Sequence, residues 1–253
     1  MAGTPPIDMS KTVNQVINLV KCYAINSGDY LGQSVKPGKG WSKRFAELDI
    51  PREVSRRQIF DLVGVESKKS SNERNWKKIF VWTMAWGYGS GYGAWRTEKI
   101  LEKLNPHIWL SELICELGPA REAPVVNAYK WIHEDWKSKK KGLGPAFATK
   151  LLYVLSEQNN RAPIIDAVVS KWLQLQKISV SSTTYDESQY ELYINFVDEC
   201  LDSIKELVRQ KSISDMDEFS DRGFIEYLIF QDELFGRGKT KRVEDWRKNC
   251  GRS

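Results

Sequence analysis

Two side chains in this sequence could act on an electrophilic sugar carbon: the amine of Lys150 and the carboxylate of Asp166. Lys150 sits in Pro145-Ala-Phe-Ala-Thr-Lys150-Leu-Leu-Tyr, among Phe147, Leu151, Leu152 and Tyr153. A helix there is largely buried, and its amine needs a partner. A buried amine that has shed its proton attacks a sugar carbon and forms a Schiff base. The structural alternative is an ion pair, with Asp166 as a candidate partner, or a lysine that snorkels to solvent. Asp166 follows Pro163-Ile164-Ile165 and precedes an apolar stretch ending at Trp172-Leu173. As a helix N-cap it is stabilised by exposed N–H groups by roughly 0.5–2 kcal/mol, which by itself accounts for an aspartate at this position. Facing a sugar, the same anion stabilises the positive charge that develops as a glycosidic bond breaks, and can activate water or an attacking amine.

Two glycine-containing stretches accompany these groups. Lys139-Lys140-Lys141-Gly142-Leu143-Gly144-Pro145 reads as a hairpin between two helices. Gly142 and Gly144 permit a sharp turn, and the N–H groups and dipole of the next helix can hold a phosphate. Lys139, Lys140 and Lys141 strengthen that reading over an ordinary solvated turn. The second stretch runs from Trp82 to Arg96, with four glycines (Gly87, Gly89, Gly91 and Gly93) alternating with aromatics. Neither a Walker lysine nor a preceding strand is present, which disfavours a phosphate loop and argues against a dinucleotide fold. Trp86, Tyr88, Tyr92 and Trp95 are candidates for a pocket that takes an extruded base. Arg96 is a candidate for holding a phosphate or base edge, against the alternative of a packed turn.

The elements that must position these groups are helical. Apolar residues recur at three- and four-residue spacing over 11–25, 51–63, 72–85, 105–117, 122–137, 145–156, 166–176, 186–210 and about 220–235. Pro51 and Asn72 are read as helix starts, and Asn105-Pro106 as a cap and first residue. Loops are expected at 26–50, 64–71, 87–93, 118–120, 139–144, 157–162 and 177–185. No sustained strand alternation and no repeat is found, so the fold class is all-α. A helical domain is expected over 11–235, with helix-hairpin-helix at about 122–156. Residues 1–10 are expected to be mobile, and 236–253 to form a basic tail.

Composition narrows the function classes. Of 253 residues, 41% are hydrophobic, enough for a core. Lys and Arg exceed Asp and Glu by 38 to 33, a net charge of +5 that permits a polyanionic partner without demanding one. The basic residues cluster at 36–44, 137–141 and 237–248. Ten tryptophans can fill a core or stack on bases. The four cysteines are far apart and neither histidine has a close cysteine, so no metal site is expected. The first residues lack the basic start and apolar run of a signal peptide, and no span is long enough for a membrane helix. The expectation is a cytoplasmic protein with reduced thiols.

Taken together, Gly142-Leu143-Gly144-Pro145 and Pro163-Ile164-Ile165-Asp166 resemble the helix-hairpin-helix DNA glycosylase superfamily, in particular the bacterial branch similar to 8-oxoguanine DNA glycosylases. The resemblance is specific over 139–173, and the glycine–aromatic stretch is similar to the same branch. It implies a two-lobed helical fold with a DNA groove between lobes, Asp166 as the catalytic carboxylate and no cofactor. It also implies a monomer acting on double-stranded DNA at the nucleoid, in base repair or in defence against modified phage bases. In bifunctional members the nucleophilic lysine follows the hairpin almost at once, a place held here by Ala146. Lys150 lies one helical turn later on the same face. Lys150 is therefore a candidate nucleophile; without it, Asp166 and water give a glycosylase that leaves an abasic site. The alternative is a non-catalytic DNA-binding helix-hairpin-helix module, or a helical protein-interaction domain with Asp166 as a cap.

Overall fold

The computed structural model describes residues 9–26, 30–89, 91–118, 124–139, 143–184, 186–210 and 221–236. Among them the fold is all-α, with eleven helices and a single pair of two-residue strands. In chain order these are α1 (Met9–Asn26), β1 (Ser34–Val35), α2 (Lys39–Arg44), β2 (Val54–Ser55), α3 (Arg56–Ser67), α4 (Trp76–Tyr88) and α5 (Gly91–Leu101). Then follow α6 (Pro106–Glu116), α7 (Val125–Lys139), α8 (Pro145–Leu155), α9 (Ala167–Leu175), α10 (Glu187–Arg209) and α11 (Arg222–Gly236). Among the described residues no helix is long and apolar enough to cross a membrane.

The chain divides into two compact units: a central one, Asp29–Arg161, and a terminal one formed by Met1–Gly28 with Ala162–Ser253. In the central unit α4 is the axis, packing against α3, α5, α6 and α8. Its Ile79, Phe80, Val81, Met84 and Ala85 are fully buried. In the terminal unit α1 packs on α10 and α11, and α9 on α11. Val16, Val20, Phe196, Val197, Phe224 and Leu228 form that core, and the Trp172 indole N–H donates to Asp232 at 2.7 Å.

Most helix starts follow local capping chemistry. Asn105 accepts from the His107 amide, with Pro106 in the first turn. Asp166, Asp186 and Asp221 accept from amides two or three residues on. Two starts differ from the periodicity. α3 begins at Arg56 rather than Pro51, because Ser55 and Gln58 form a reciprocal capping box. Val54 and Ser55 meanwhile pair antiparallel with Val35 and Ser34. α4 begins after Asn75 rather than Asn72, since Asn75 caps the Lys78 amide at 2.9 Å and Ser71–Glu73 forms a separate 3-10 turn. The expected loop 26–50 contains β1 and α2.

Within the expected loop 87–93, residues 87–88 and 91–93 are helical. α4 runs to Tyr88, Gly89 ends it with φ of 65°, and α5 resumes at Gly91. Glycines read as breakers here lie inside helices because other atoms crowd their backbones. A Cβ on Gly93 falls 2.3 Å from Tyr88 Cβ.

Candidate functional site

Lys150 lies on α8 in the central unit and is 6% exposed. Its stem runs along the backbone of α4 at Gly87. A Cβ added there falls 2.9 Å from Lys150 Cδ, 3.2 Å from its Cε and 2.8 Å from Phe147 Cε1. The absence of a side chain at Gly87 is thus what admits the lysine. The Lys150 ammonium lies 5.6 Å from the centroid of the Phe147 ring, within cation–π range. Phe147 in turn stacks on Tyr88, with centroids 3.9 Å apart and planes at 25°. Arg96 approaches the other participant of that stack, its guanidinium 6.0 Å from the Tyr88 ring. Burial pushes the Tyr88 hydroxyl above its ordinary pKa, partly opposed by the Arg96 charge, so it stays protonated. That hydroxyl is buried without a hydrogen-bond partner. The structure therefore gathers Lys150, Tyr88, Arg96 and Gly87 at one place, from two stretches more than fifty residues apart.

Behind this cluster lies a layer not anticipated from the sequence. Tyr153, one turn along α8 from Lys150, stacks at 21° on Trp86 with centroids 6.3 Å apart. The Arg56 guanidinium sits 5.2 Å from both rings, and Arg56 donates to the Tyr153 hydroxyl at 3.3 Å. Arg161 lies 4.1 Å from the Phe60 ring and donates to the carbonyls of Tyr153 and Ser156. Both arginines are buried. Trp86 thereby belongs to the core, while Tyr92 and Trp95 are 65% and 43% exposed on α5.

Asp166 lies in the terminal unit as the N-cap of α9. Its Oδ1 accepts from the Val168 and Val169 amides at 2.9 and 3.0 Å. The capping role expected from the sequence is thus present; it places the carboxylate at the positive end of a helix dipole. The segment leading into it is pinned from α10. The Tyr190 hydroxyl donates to the Pro163 carbonyl at 3.0 Å, and the Tyr193 hydroxyl to the Ile164 carbonyl at 3.4 Å. Burial pushes Tyr193 well above its ordinary pKa, with the charges of Glu226 and Asp166 adding to the effect, so its hydroxyl remains a donor. Nothing local in the sequence marks either tyrosine as a support of Asp166.

Of the hairpin, Lys140, Lys141 and Gly142 lie outside the described residues, as does the Lys139 side chain, although Lys139 itself ends α7. Residues 1–8 and the basic segment 237–253 are likewise outside. Gly144 caps α8 with φ of −78° and ψ of 166°, angles open to any residue, and nothing lies within 4 Å of where its Cβ would be. A groove on the terminal unit, lined by Asp198, Glu199, Asp202 and Glu206 among others, carries the wrong charge for a phosphate strand.

The described residues thus form an all-α fold with a buried lysine on α8 and an aspartate capping α9. A family profile described as "Putative 8-oxoguanine DNA glycosylase OGG-like protein" matches residues 32–230. The chain belongs to that family, and the match spans both Lys150 and Asp166. No curated protein and no solved structure matches the chain.

Proposed function

We propose that this protein is a DNA N-glycosylase that extrudes one nucleotide and cuts the bond between the sugar and a damaged or modified base, in base repair or in defence against modified phage DNA. The observation that carries the reading is the burial of Lys150 against Gly87, within a family of glycosylase-like proteins. A lysine held at 6% exposure by a glycine cut-out and an aromatic ring is a group whose placement is specified. A solvated surface lysine has no such framework.

Extruding the base costs a few kcal/mol, roughly, offset by stacking and backbone contacts. Tyr88 and Phe147 line the approach to Lys150, and the base extends or displaces their stack. Gly144 offers open backbone at the start of α8 where a phosphate can approach, and Arg96 supplies a cation. As the C1′–N bond breaks, the pair of electrons leaves with the base, which takes up a proton. Asp166 stabilises the positive charge left on the sugar. In the lyase route the Lys150 nitrogen forms the new bond to C1′ and loses a proton. In the simpler route water does so, and an abasic site remains.

Base release from a panel of DNAs carrying oxidised bases and modified cytosines, read by mass spectrometry, tests the reading. Release is expected from at least one substrate and is expected to collapse in Asp166→Asn. Borohydride trapping of a covalent DNA adduct, lost in Lys150→Ala, identifies the lyase route. Salt-dependent DNA binding without release from any substrate would favour the non-catalytic module instead.

A further inference from the structure

Tyr92 and Trp95 are among the few large hydrophobic side chains exposed on the described surface. Their rings lie 5.7 Å apart with planes tilted by 36°. On α5 the outward stripe runs Tyr92, Trp95, Arg96 and Lys99, while Gly93, Ala94, Thr97 and Ile100 face inward. α2 packs on α5, burying Trp41 and Phe45 and exposing Lys39, Lys43 and Arg44. Glu98 is the one acidic residue in either helix, and Arg44 pairs with it. Lys99 is paired with Glu102. Lys39, Lys43 and Arg96 form no ion pair among the described residues, so the face keeps a positive surplus beside two open rings.

We propose that this α2–α5 face, which adjoins the Lys150 cluster through Arg96, is a further nucleic-acid contact, one that stacks an unpaired base on the Tyr92–Trp95 pair and holds the flanking phosphates on Lys39, Lys43 and Arg96. The proposal rests on the reading of the protein as acting on DNA. Inserting a base between two rings requires about twice the ~3.4 Å repeat of a strand. The 5.7 Å separation is too small for that, so the base stacks on an outer ring face. A fully paired duplex presents no free base face to these rings. The ligand is therefore single-stranded or locally melted DNA. The lysines favour a phosphate strand over a protein partner: Lys is depleted at protein interfaces, whereas cations beside open rings suit a nucleic-acid strand.

The experiment measures binding of the full chain to labelled oligothymidylate and to a fully paired duplex of equal length, by fluorescence anisotropy at several salt concentrations. Tyr92→Ala and Trp95→Ala are each expected to weaken oligothymidylate binding about tenfold, with duplex binding nearly unchanged, and the Phe variants to restore most of it. Arg96→Gln is expected to flatten the salt slope by about 0.7. The proposal is overturned if the Ala variants bind oligothymidylate like the wild type. It is also overturned if single-strand and duplex binding fall together, or if the wild type captures anionic vesicles but no oligonucleotide. Oligothymidylate carries no excisable lesion, so the two readings fail separately. Ring-dependent binding with no base release from any substrate removes the catalytic reading alone. Base release with binding indifferent to both rings removes this one alone.

Discussion

The substitution Gly87→Ala separates a structural lysine from a working one. A methyl at Gly87 lies 2.9 Å from Lys150 Cδ and 2.8 Å from Phe147 Cε1, against about 3.5 Å for an unstrained carbon–carbon contact. The lysine stem must therefore retreat by about 0.6 Å, and the Phe147 ring by about 0.7 Å. Two contributions to stability oppose one another. Alanine is better than glycine inside a helix by roughly 0.5–1 kcal/mol, whereas overpacking typically costs about 1–3 kcal/mol. Since the end of a lysine side chain yields cheaply, the net change in stability is expected to be within about 2 kcal/mol. Activity has no such compensation: an error of about 1 Å in a reacting group costs on the order of a hundredfold, so single-turnover adduct formation is expected to fall by roughly tenfold or more. The assay is borohydride trapping on the best substrate, alongside a thermal melt. Gly64→Ala on α3 is the control, because its new methyl meets nothing within 4 Å. It is expected to gain about 0.5–1 kcal/mol with trapping unchanged. A folded Gly87→Ala protein that traps DNA at the wild-type rate would refute the assignment of Lys150.

Other outcomes follow from the same geometry. Tyr190→Phe and Tyr193→Phe each strand a buried carbonyl ahead of Asp166, costing about 1–3 kcal/mol, with the larger effect for the shorter Tyr190 bond. Both are expected to slow single-turnover base release without changing DNA affinity; equal losses in affinity would tell against a positioning role. Burial pushes the Glu66 carboxyl up, but hydrogen bonds from Lys69 and the Asn75 amide and the charges of Lys69 and Lys78 outweigh it and hold it below its ordinary value of 4.5. Its contribution to stability is therefore present above 4.5 and lost as pH falls through the lower folded value. Glu66→Gln is expected to lower the melting temperature at neutral pH, and the gap to wild type to close in acid; a gap constant with pH would exclude the charge. Exposed Cys115 is expected to alkylate in the native protein, whereas buried Cys200, whose pKa is pushed far up by its surroundings, reacts only on unfolding, as peptide mass mapping would show.

Local chemistry was legible in the sequence, and contacts between distant segments were not. Asn105 and Asp166 cap the helices they were read to start, because a cap engages amides two or three residues away. Pro51 misled, since the Ser55–Gln58 box starts α3 more effectively than a permissive first-turn proline. α5 was missed because its glycines carry no helical signal, and their tolerance depends on Tyr88 pressing against Gly93. Lys150 and Asp166 were singled out from motif and spacing. Arg56 was not, since only the fold brings it beside Trp86 and Tyr153. Tyr190 and Tyr193 support a segment 27 and 29 residues upstream, beyond any periodic pattern.

The division of the chain also sets an order of manufacture. Asp29–Arg161 is one continuous run, so the unit around Lys150 has all its helices once the ribosome has passed α8. The unit around Asp166 is split: α1 precedes the central unit in the chain but packs against α10 and α11, which follow it. At ordinary synthesis rates α1 waits on the order of ten seconds for these partners. Between the completion of α8 and the synthesis of α10, a nascent chain has the Lys150 framework while Asp166 lacks the tyrosines that pin its approach. The segment ahead of Asp166 is therefore pinned only after α10 has been made.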